Sequence, residues 1–298
     1  MQKPNPILGP MRLPFLILAP ICAFLAIAVI AFQTPASLTV LNVSLVIIGA
    51  ISAHISVNTF NEYFDFRSGL DLKTIKTPFS GGSGTLPASP DKAWIALLEG
   101  IISSAVVALI GIYFTVTSTT QLLPLGIFGL VIIITYTIWL NKIPFLCLIA
   151  PGTGFGSILV IGAGLALSGT FTMALSLASL IPFFLVNNLL LLNQFPDVDA
   201  DKAIGRLHYP ILIGRKKSAI IYGIFNVLTY VTIIVGVVTG LFPIWTLLGL
   251  LTLIISIPVV KGAYAHPDDI QRIIPLMGKN VMITLLTPAL VGIGLLIG

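Results

Sequence analysis

Charge is what this sequence has least of. Lys and Arg total 15 and Asp and Glu 10 among 298 residues, 8% of the chain, where a soluble domain carries about 25%. So little charge excludes an ordinary soluble surface, whereas lipid accepts an apolar exterior. Cysteine is scarce too. Cys22 and Cys147 fall in or beside long apolar segments, which excludes a disulfide framework and reads as two inert core thiols. No polar stretch is long enough for a soluble domain, so residues 1–298 read as one transmembrane domain. The net charge of +5 is explained below by topology and argues for no nucleic-acid partner. The sequence carries no mark of oligomeric state.

What is present is long uncharged runs. No Asp, Glu, Lys or Arg occurs in 13–61, 100–141, 143–196, 218–260 or 280–298, gaps of 49, 42, 54, 43 and 19 residues. One span needs about 20 apolar residues to cross about 30 Å of hydrocarbon. The longer gaps each fit two helices and a turn, and the last fits one. The expected fold is all-α and polytopic, with nine transmembrane helices near 14–33, 41–64, 92–116, 123–140, 146–167, 172–195, 217–239, 243–262 and 278–298. The first is not expected to be a removable signal peptide, because it lacks a small-residue cleavage site and runs straight into a second apolar segment.

Turns near 33–35, 118–120, 168–170 and 240–243 are short and uncharged, while the connections 65–91, 141–145, 196–216 and 263–277 are polar. Every Lys and Arg lies on that second set, on the N-terminal arm or at the adjoining helix ends. The positive-inside rule makes this face cytoplasmic in a cell membrane, with the N-terminus inside and the C-terminus outside.

Two polar clusters stand at that face. The first runs from Asn58 through Asn61 and Asp65 to Gly69 and Asp71. Asn61 and Asp65, four apart, share a helix face, Asn58 lies on a neighbouring edge, and Gly69 lets the chain leave the helix so that Asp71 folds back. The second holds Asn193, Asp197 and Asp201 at i, i+4 and i+8, with Pro196 a candidate kink. The shared Asn-x3-Asp core, four helices apart, suggests two four-helix halves plus a ninth helix. Facing carboxylates repel unless cations sit between them. Hard oxygen donors suit Mg²⁺, which binds through a few carboxylates plus substrate phosphates, and no Cys or His at ligand spacing argues for zinc. Lys73, Lys76, Lys142, Lys202 and Arg206 lie on the same face and would neutralise a diphosphate. Caps and solvated helix ends are the plainer reading of one such cluster; two matching ones on one face favour a site.

Both clusters resemble the paired Asp-rich motifs of the UbiA superfamily of intramembrane aromatic prenyltransferases, and the likeness runs over nearly the whole chain. The first is most similar to the 1,4-dihydroxy-2-naphthoate polyprenyltransferase branch, through Asn61-Glu62-Tyr63-Phe64-Asp65, Gly69-Leu70-Asp71 and Gly81-Gly82-Ser83-Gly84. Thr77-Pro78-Phe79-Ser80 stands where other branches carry Arg-Pro. Departures are Glu62 for the usual Asp, Arg12-Leu13-Pro14 for an adjacent Arg-Pro, and Gly152-Thr153-Gly154-Phe155-Gly156 without a following acid.

The resemblance implies Mg²⁺ held on a polyprenyl diphosphate by Asn61, Asp65, Asp71, Asn193, Asp197 and Asp201, the four acids being catalytic. It places Asn58, Lys73, Lys142, Lys202, Arg206, Arg12, Tyr136 and His54 against the substrates. It implies capture of the allylic cation by an aromatic acceptor, in the naphthoate branch with loss of CO₂, in lipid quinone (menaquinone-type) biosynthesis. A water-poor cavity inside the bundle is needed, since water would quench the cation.

Smaller features leave alternatives open. His54 is either an acceptor-binding or proton-accepting group or a hydrogen-bonded structural histidine. Glu99 is either functional or a structural acid paired with a Lys. The Gly81–Gly84 stretch is either a phosphate cradle or a flexible loop. His208, His266, Asp268 and Asp269 are expected to face solvent, and Gly162 and Gly164 to serve helix packing. Two competing functions remain: a secondary transporter, disfavoured because its ionisable residues belong near the midplane, and a phospholipid-headgroup transferase, which usually has one dense motif.

Overall fold

The computed structural model describes residues 5–298 apart from 73 and 75, and the side chains of Ala36 and Leu72 lie outside that description. Every regular element among the described residues is helical. In chain order these are α1 (Leu8–Met11), α2 (Leu18–Gln33), α3 (Val40–Ser68), α4 (Thr85–Ala88), α5 (Ala93–Thr117), α6 (Leu122–Thr135) and α7 (Pro144–Gly152). A π-helical turn, Thr153–Ile158, joins α7 to α8 (Leu159–Ser168). Then come α9 (Met173–Ala203), α10 (Tyr209–Leu212), α11 (Arg215–Val238), a 3₁₀ segment at Ile244–Thr252, α12 (Leu253–Ala265) and α13 (Ile270–Ile297).

Local chemistry sets the ends. Thr39 and Thr172 cap α3 and α9 by accepting the N–H groups of Asn42 and Leu175, each at 3.2 Å. Asp269 does the same for Arg272 at the start of α13. Gly69, at φ +77°, ends α3 in the left-handed conformation that glycine adopts without a Cβ penalty.

Helices lie in all nine expected apolar segments, but nine spans are not confirmed. Among the described residues seven helices are long and apolar enough to cross a membrane, and an eighth span results if Leu8–Phe15 and Leu18–Gln33, bent by 50°, are taken together. The fourth apolar segment forms a helix of only 14 residues, Leu122–Thr135, about 21 Å long at 1.5 Å per residue and short of the ~30 Å hydrocarbon. Its expected last turn instead opens into the 3₁₀ segment Leu140–Lys142, which turns Asn141 inward.

The exterior is apolar, as lipid contact requires: Val40, Leu109, Val116, Val238 and Ile254 are among the most exposed side chains. The chain is a multi-pass membrane protein. α9 lies at the centre, packed by α7, α11 and α13, while α5 backs α3. A buried polar lock ties three of these helices together. Asn188 donates to the Tyr222 carbonyl at 2.8 Å, the Tyr222 hydroxyl donates to Asn280 Oδ1 at 2.9 Å, and Asn280 returns a bond to the Asn188 carbonyl at 3.2 Å. The uncharged turns gather at one end. Thr172 donates to Gln33 Oε1 at 2.9 Å, Ser118 donates to the Leu165 carbonyl at 2.9 Å, and Gly298 packs on Pro243. The polar clusters occupy the opposite end.

Candidate active site

A cavity of about 440 Å³ opens between the inner faces of α3, α5, α6, α7, α8 and α9. Its polar end is built by the last turns of α3 and α9. Asn58, Asn61 and Asp65 project from α3, and Asn193, Asp197 and Asp201 from α9, because each set repeats every three or four residues and so shares a face. Asp71 joins them from the 3₁₀ turn beyond Gly69.

Arg206 bridges the two motifs. Its guanidinium binds Asp65 Oδ1 through Nη2 and Asp201 Oδ1 through Nη1, the latter at 3.0 Å. Burial works against that charge, but Asp65 and Asp201 outweigh it and hold the guanidinium pKa above its ordinary value. The other Asp201 oxygen, Oδ2, lies 3.0 Å from His208 Nε2. His208 is therefore not a solvent-facing residue: it is 2% exposed and lines the cavity. Gly205, at φ +80°, lets the chain double back after α9 and carries both Arg206 and His208 inward. Each Asp201 oxygen thus has a protein partner, and the carboxylate orients Arg206 and His208 at the cavity.

The loop between α3 and α4 spans both motifs. Ser80 donates to Asp197 Oδ1 at 3.2 Å, Asn193 Nδ2 reaches the Phe79 carbonyl at 3.4 Å, and Ser83 binds Glu62. Glu62 is buried, accepting the Ser83 N–H at 2.6 Å and its hydroxyl at 2.7 Å, so the longer acid fastens the glycine loop. Gly81 and Gly82 line the cavity. A Cβ on Gly82, at φ +70°, would come within 2.8 Å of Asp71 Oδ1. The burial and crowding of acids have a cost. Burial, with the nearby charges of Glu62 and Asp65, pushes the Asp71 carboxyl up to about 7.

Of the other residues expected here, Arg12, His54 and Tyr136 line the cavity. Arg12 stacks over Phe15 with its guanidinium 5.0 Å from the ring, and its φ of +54° is the one left-handed non-glycine among the described residues. Asn58 donates to the Met11 carbonyl at 3.0 Å and Asn61 to Thr137 Oγ1 at 3.2 Å. His54 meets Phe155 edge-on at 4.7 Å. Two expected substrate contacts are not brought here: Lys142 and Lys202 have exposed side chains and do not line the cavity. Each follows an inward residue, Asn141 or Asp201, and one step along a helical turn rotates the next side chain away. Lys73 lies outside the described residues. Glu99 has both carboxylate oxygens buried without a hydrogen-bond partner, pairs with no Lys among the described residues, and does not line the cavity. Asn141, Ser80 and His208 line the site and were missed by sequence reasoning; the Gly205 that turns the chain was the available signal for His208.

The donor set fits a hard divalent cation. Asp71 Oδ2 and Asn193 Oδ1 are buried without hydrogen-bond partners, and the Asp197 carboxylate accepts one hydroxyl. Among the described residues no three acidic, His or Cys side chains converge to enclose a metal.

The model of the UbiA prenyltransferase family matches residues 19–273. The chain is 27% identical over 246 residues, 82% of its length and 77% of the other, to the 1,4-dihydroxy-2-naphthoate octaprenyltransferase of Bacillus subtilis (strain 168). It is 29% identical over 214 residues, 69% and 70% of the two chains, to the digeranylgeranylglyceryl phosphate synthase of Pyrococcus abyssi (strain GE5 / Orsay). In fold it is similar to the apo UbiA homologue from Aeropyrum pernix K1, with a TM-score of 0.71, 19% identity, and 95% and 98% of the chains covered. It is also similar in fold to the Archaeoglobus fulgidus UbiA homologue bound to GPP and Mg²⁺, with a TM-score of 0.59, 16% identity, and 99% and 100% covered.

Proposed function

This chain belongs to the UbiA prenyltransferase family and is a prenyltransferase, and on that premise we propose that it transfers a polyprenyl group from an allylic diphosphate to 1,4-dihydroxy-2-naphthoate or a related aromatic ring, in lipid quinone biosynthesis of the menaquinone type. The observation that carries the reading is the meeting of two Asn-x3-Asp faces and Arg206 at one end of a long apolar cavity. The naphthoate octaprenyltransferase likeness supports the choice of acceptor. The likeness to a digeranylgeranylglyceryl phosphate synthase makes a lipid acceptor the second reading.

Asn61, Asp65, Asp71, Asn193, Asp197 and Asp201 would hold Mg²⁺, with Arg206 on Asp65 and Asp201 and His208 on Asp201. When bound, the metal supplies positive charge to the departing diphosphate. Arg206 and Arg12 add fixed positive charge at the same end. The allylic C–O bond breaks with its electron pair going to the diphosphate oxygen. A ring carbon of the acceptor then donates an electron pair to the allylic cation. In the naphthoate case the bond to the carboxyl group breaks, its electrons return to the ring, and CO₂ leaves. His54 and Phe155, just below Asn58, would hold the acceptor ring, with Tyr136 across the cavity. The apolar walls keep water from the cation. Residues 65–91 and 196–216 and the N-terminus would face the cytoplasm and the C-terminus the outside, with α3 and α9 equivalent in two four-helix halves and α13 the added helix.

The test incubates purified protein in lipid with octaprenyl diphosphate, Mg²⁺ and 1,4-dihydroxy-2-naphthoate, and follows prenylated product, CO₂ and pyrophosphate. Product with geranylgeranylglyceryl phosphate alone moves the assignment to the lipid acceptor. Absence of product with every acceptor overturns the reading.

A further inference from the structure

The cavity wall that meets α3 at Phe155 is a helix that changes its winding. Cys147, Pro151, Phe155, Leu159 and Ala163, each four residues after the last, all line the cavity. In an uninterrupted α-helix each step of four overshoots a 3.6-residue turn by about 40°, or about 160° over the four steps, so the two ends would face opposite ways. The π turn Thr153–Ile158 takes up one residue more and returns about 100° of that rotation. Two backbone groups stand at its entry. Pro151 has no N–H to continue the α7 ladder. The Gly152 N–H donates to Asn187 Oδ1 of α9 at 2.6 Å. Asn187 is fully buried and does not line the cavity. The two helices come this close because Gly152 and Gly156 rest on the α9 backbone at Phe183, where a Cβ on either would overlap. Within the turn Phe155 meets His54 edge-on at 4.7 Å. Gly154, also in the cavity wall, leaves open space beside it, since a Cβ there would meet no atom within 4 Å.

We propose that Asn187 is a positioning residue for the acceptor ring: by holding the Gly152 N–H it keeps the π turn in place, and the turn sets Phe155 against His54. The inference rests on the prenyltransfer reading above, since it takes His54 and Phe155 as the seat of the acceptor. Asn187 itself touches neither substrate. A π turn is rare inside an α-helix and persists where something outside the helix holds it. Here the Asn187 carbonyl is that hold, and Pro151 removes a donor that would favour ordinary α-winding. Relaxation to continuous α-winding would rotate Leu159 and the residues after it by about 100° against α7. Phe155, midway along the turn, would be carried part of that way from His54. The acids and Arg206 lie on α3, on α9 and on the chain reversal at Gly205, so their placement does not depend on this register. Loss of the turn therefore disturbs the acceptor and spares the diphosphate.

The experiment is a double-mutant cycle on the full chain in lipid: wild type, Asn187→Leu, Phe155→Leu and the pair, each checked for thermal stability. The donor is octaprenyl diphosphate, and the acceptor is whichever of 1,4-dihydroxy-2-naphthoate and geranylgeranylglyceryl phosphate the wild type prenylates. Asn187→Leu is expected to raise KM for the acceptor about tenfold or more and to leave KM for the diphosphate within about twofold. Phe155→Leu should give the same split, and the pair should add little to either single change, because both act on one ring. Asn187→Asp, which keeps an oxygen facing Gly152, should restore the acceptor KM. Asn187→Ser, too short to reach Gly152, takes the place of Asn187→Leu if that variant does not fold. An unchanged acceptor KM, a rise shared equally by both KM values, or additive effects in the cycle overturns the inference and leaves Asn187 a packing residue. A wild type inactive with every acceptor overturns the prenyltransfer reading instead.

Discussion

Glu62 holds Ser83 by two hydrogen bonds, accepting its backbone N–H at 2.6 Å and its hydroxyl at 2.7 Å. The contact ties α3 to the glycine loop that covers Asp71 and reaches Asp197. Hydrogen bonds to a charged group contribute about 1.5–3 kcal/mol, and a buried N–H left unpaired costs a comparable amount. Glu62→Ala is therefore expected to loosen residues 80–84, read as faster amide exchange there, and to raise KM for the diphosphate more than it lowers kcat.

Arg206 neutralises Asp65 and Asp201 together. Removing one partner of a buried ion pair costs about 3–5 kcal/mol, because the remaining charges stay desolvated. Arg206→Gln should lower thermal stability strongly in EDTA and less in Mg²⁺, which would supply the missing positive charge. Arg206→Lys should recover little, since an ammonium lacks the fork that reaches both carboxylates. Equal stability of wild type and Arg206→Gln in EDTA would count against the bridge.

Asp197 faces Ser80 and the cavity. Asp197→Asn and Asp65→Asn are each expected to lower kcat by about 10²–10³, the usual loss when one charge-stabilising contact to a transition state is removed. Both should raise the Mg²⁺ concentration giving half-maximal activity. Chelation should abolish turnover and added Mg²⁺ restore it. Full activity of either variant rules its carboxylate out of the metal site.

Asp71 titrates near 7, from 3.8 when unperturbed. A carboxyl whose folded pKa is raised holds its proton more tightly folded than unfolded. The metal-free protein should thus lose stability as pH rises from about 4 to about 7. Mg²⁺ needs the ionised form, so its affinity should climb with pH and level off above about 7, with proton release on binding below that point. Calorimetry in buffers of different ionisation heat would read the released proton, and Asp71→Asn should reduce the number released.

Lys142 and Lys202 are exposed. Alanine at either should change stability by no more than about 0.5 kcal/mol and leave KM for the diphosphate within about twofold. A large KM increase in Lys202→Ala would place that side chain at the substrate.

Properties that depend on solvent and on a single helix were legible in the residue order. Uncharged runs of 42–54 residues cannot be solvated as a soluble surface, so the membrane class and the helical class followed from composition. Asn61 and Asp65 had to share a face, as did Asn193, Asp197 and Asp201, because the helix turns 100° per residue wherever it sits. The polar ends were expected at one face because every Lys and Arg lies on one set of connections and an even number of apolar segments separates the two clusters. The rest depends on packing between distant segments. His208 is buried against Asp201 because Gly205 reverses the chain there. Lys142 and Lys202 point out of the site that their neighbours enter. The fourth apolar segment stops after 14 helical residues so that Asn141 can turn inward. Each of these is a relation between segments distant in sequence or across a chain reversal, and packing, not local periodicity, fixes it.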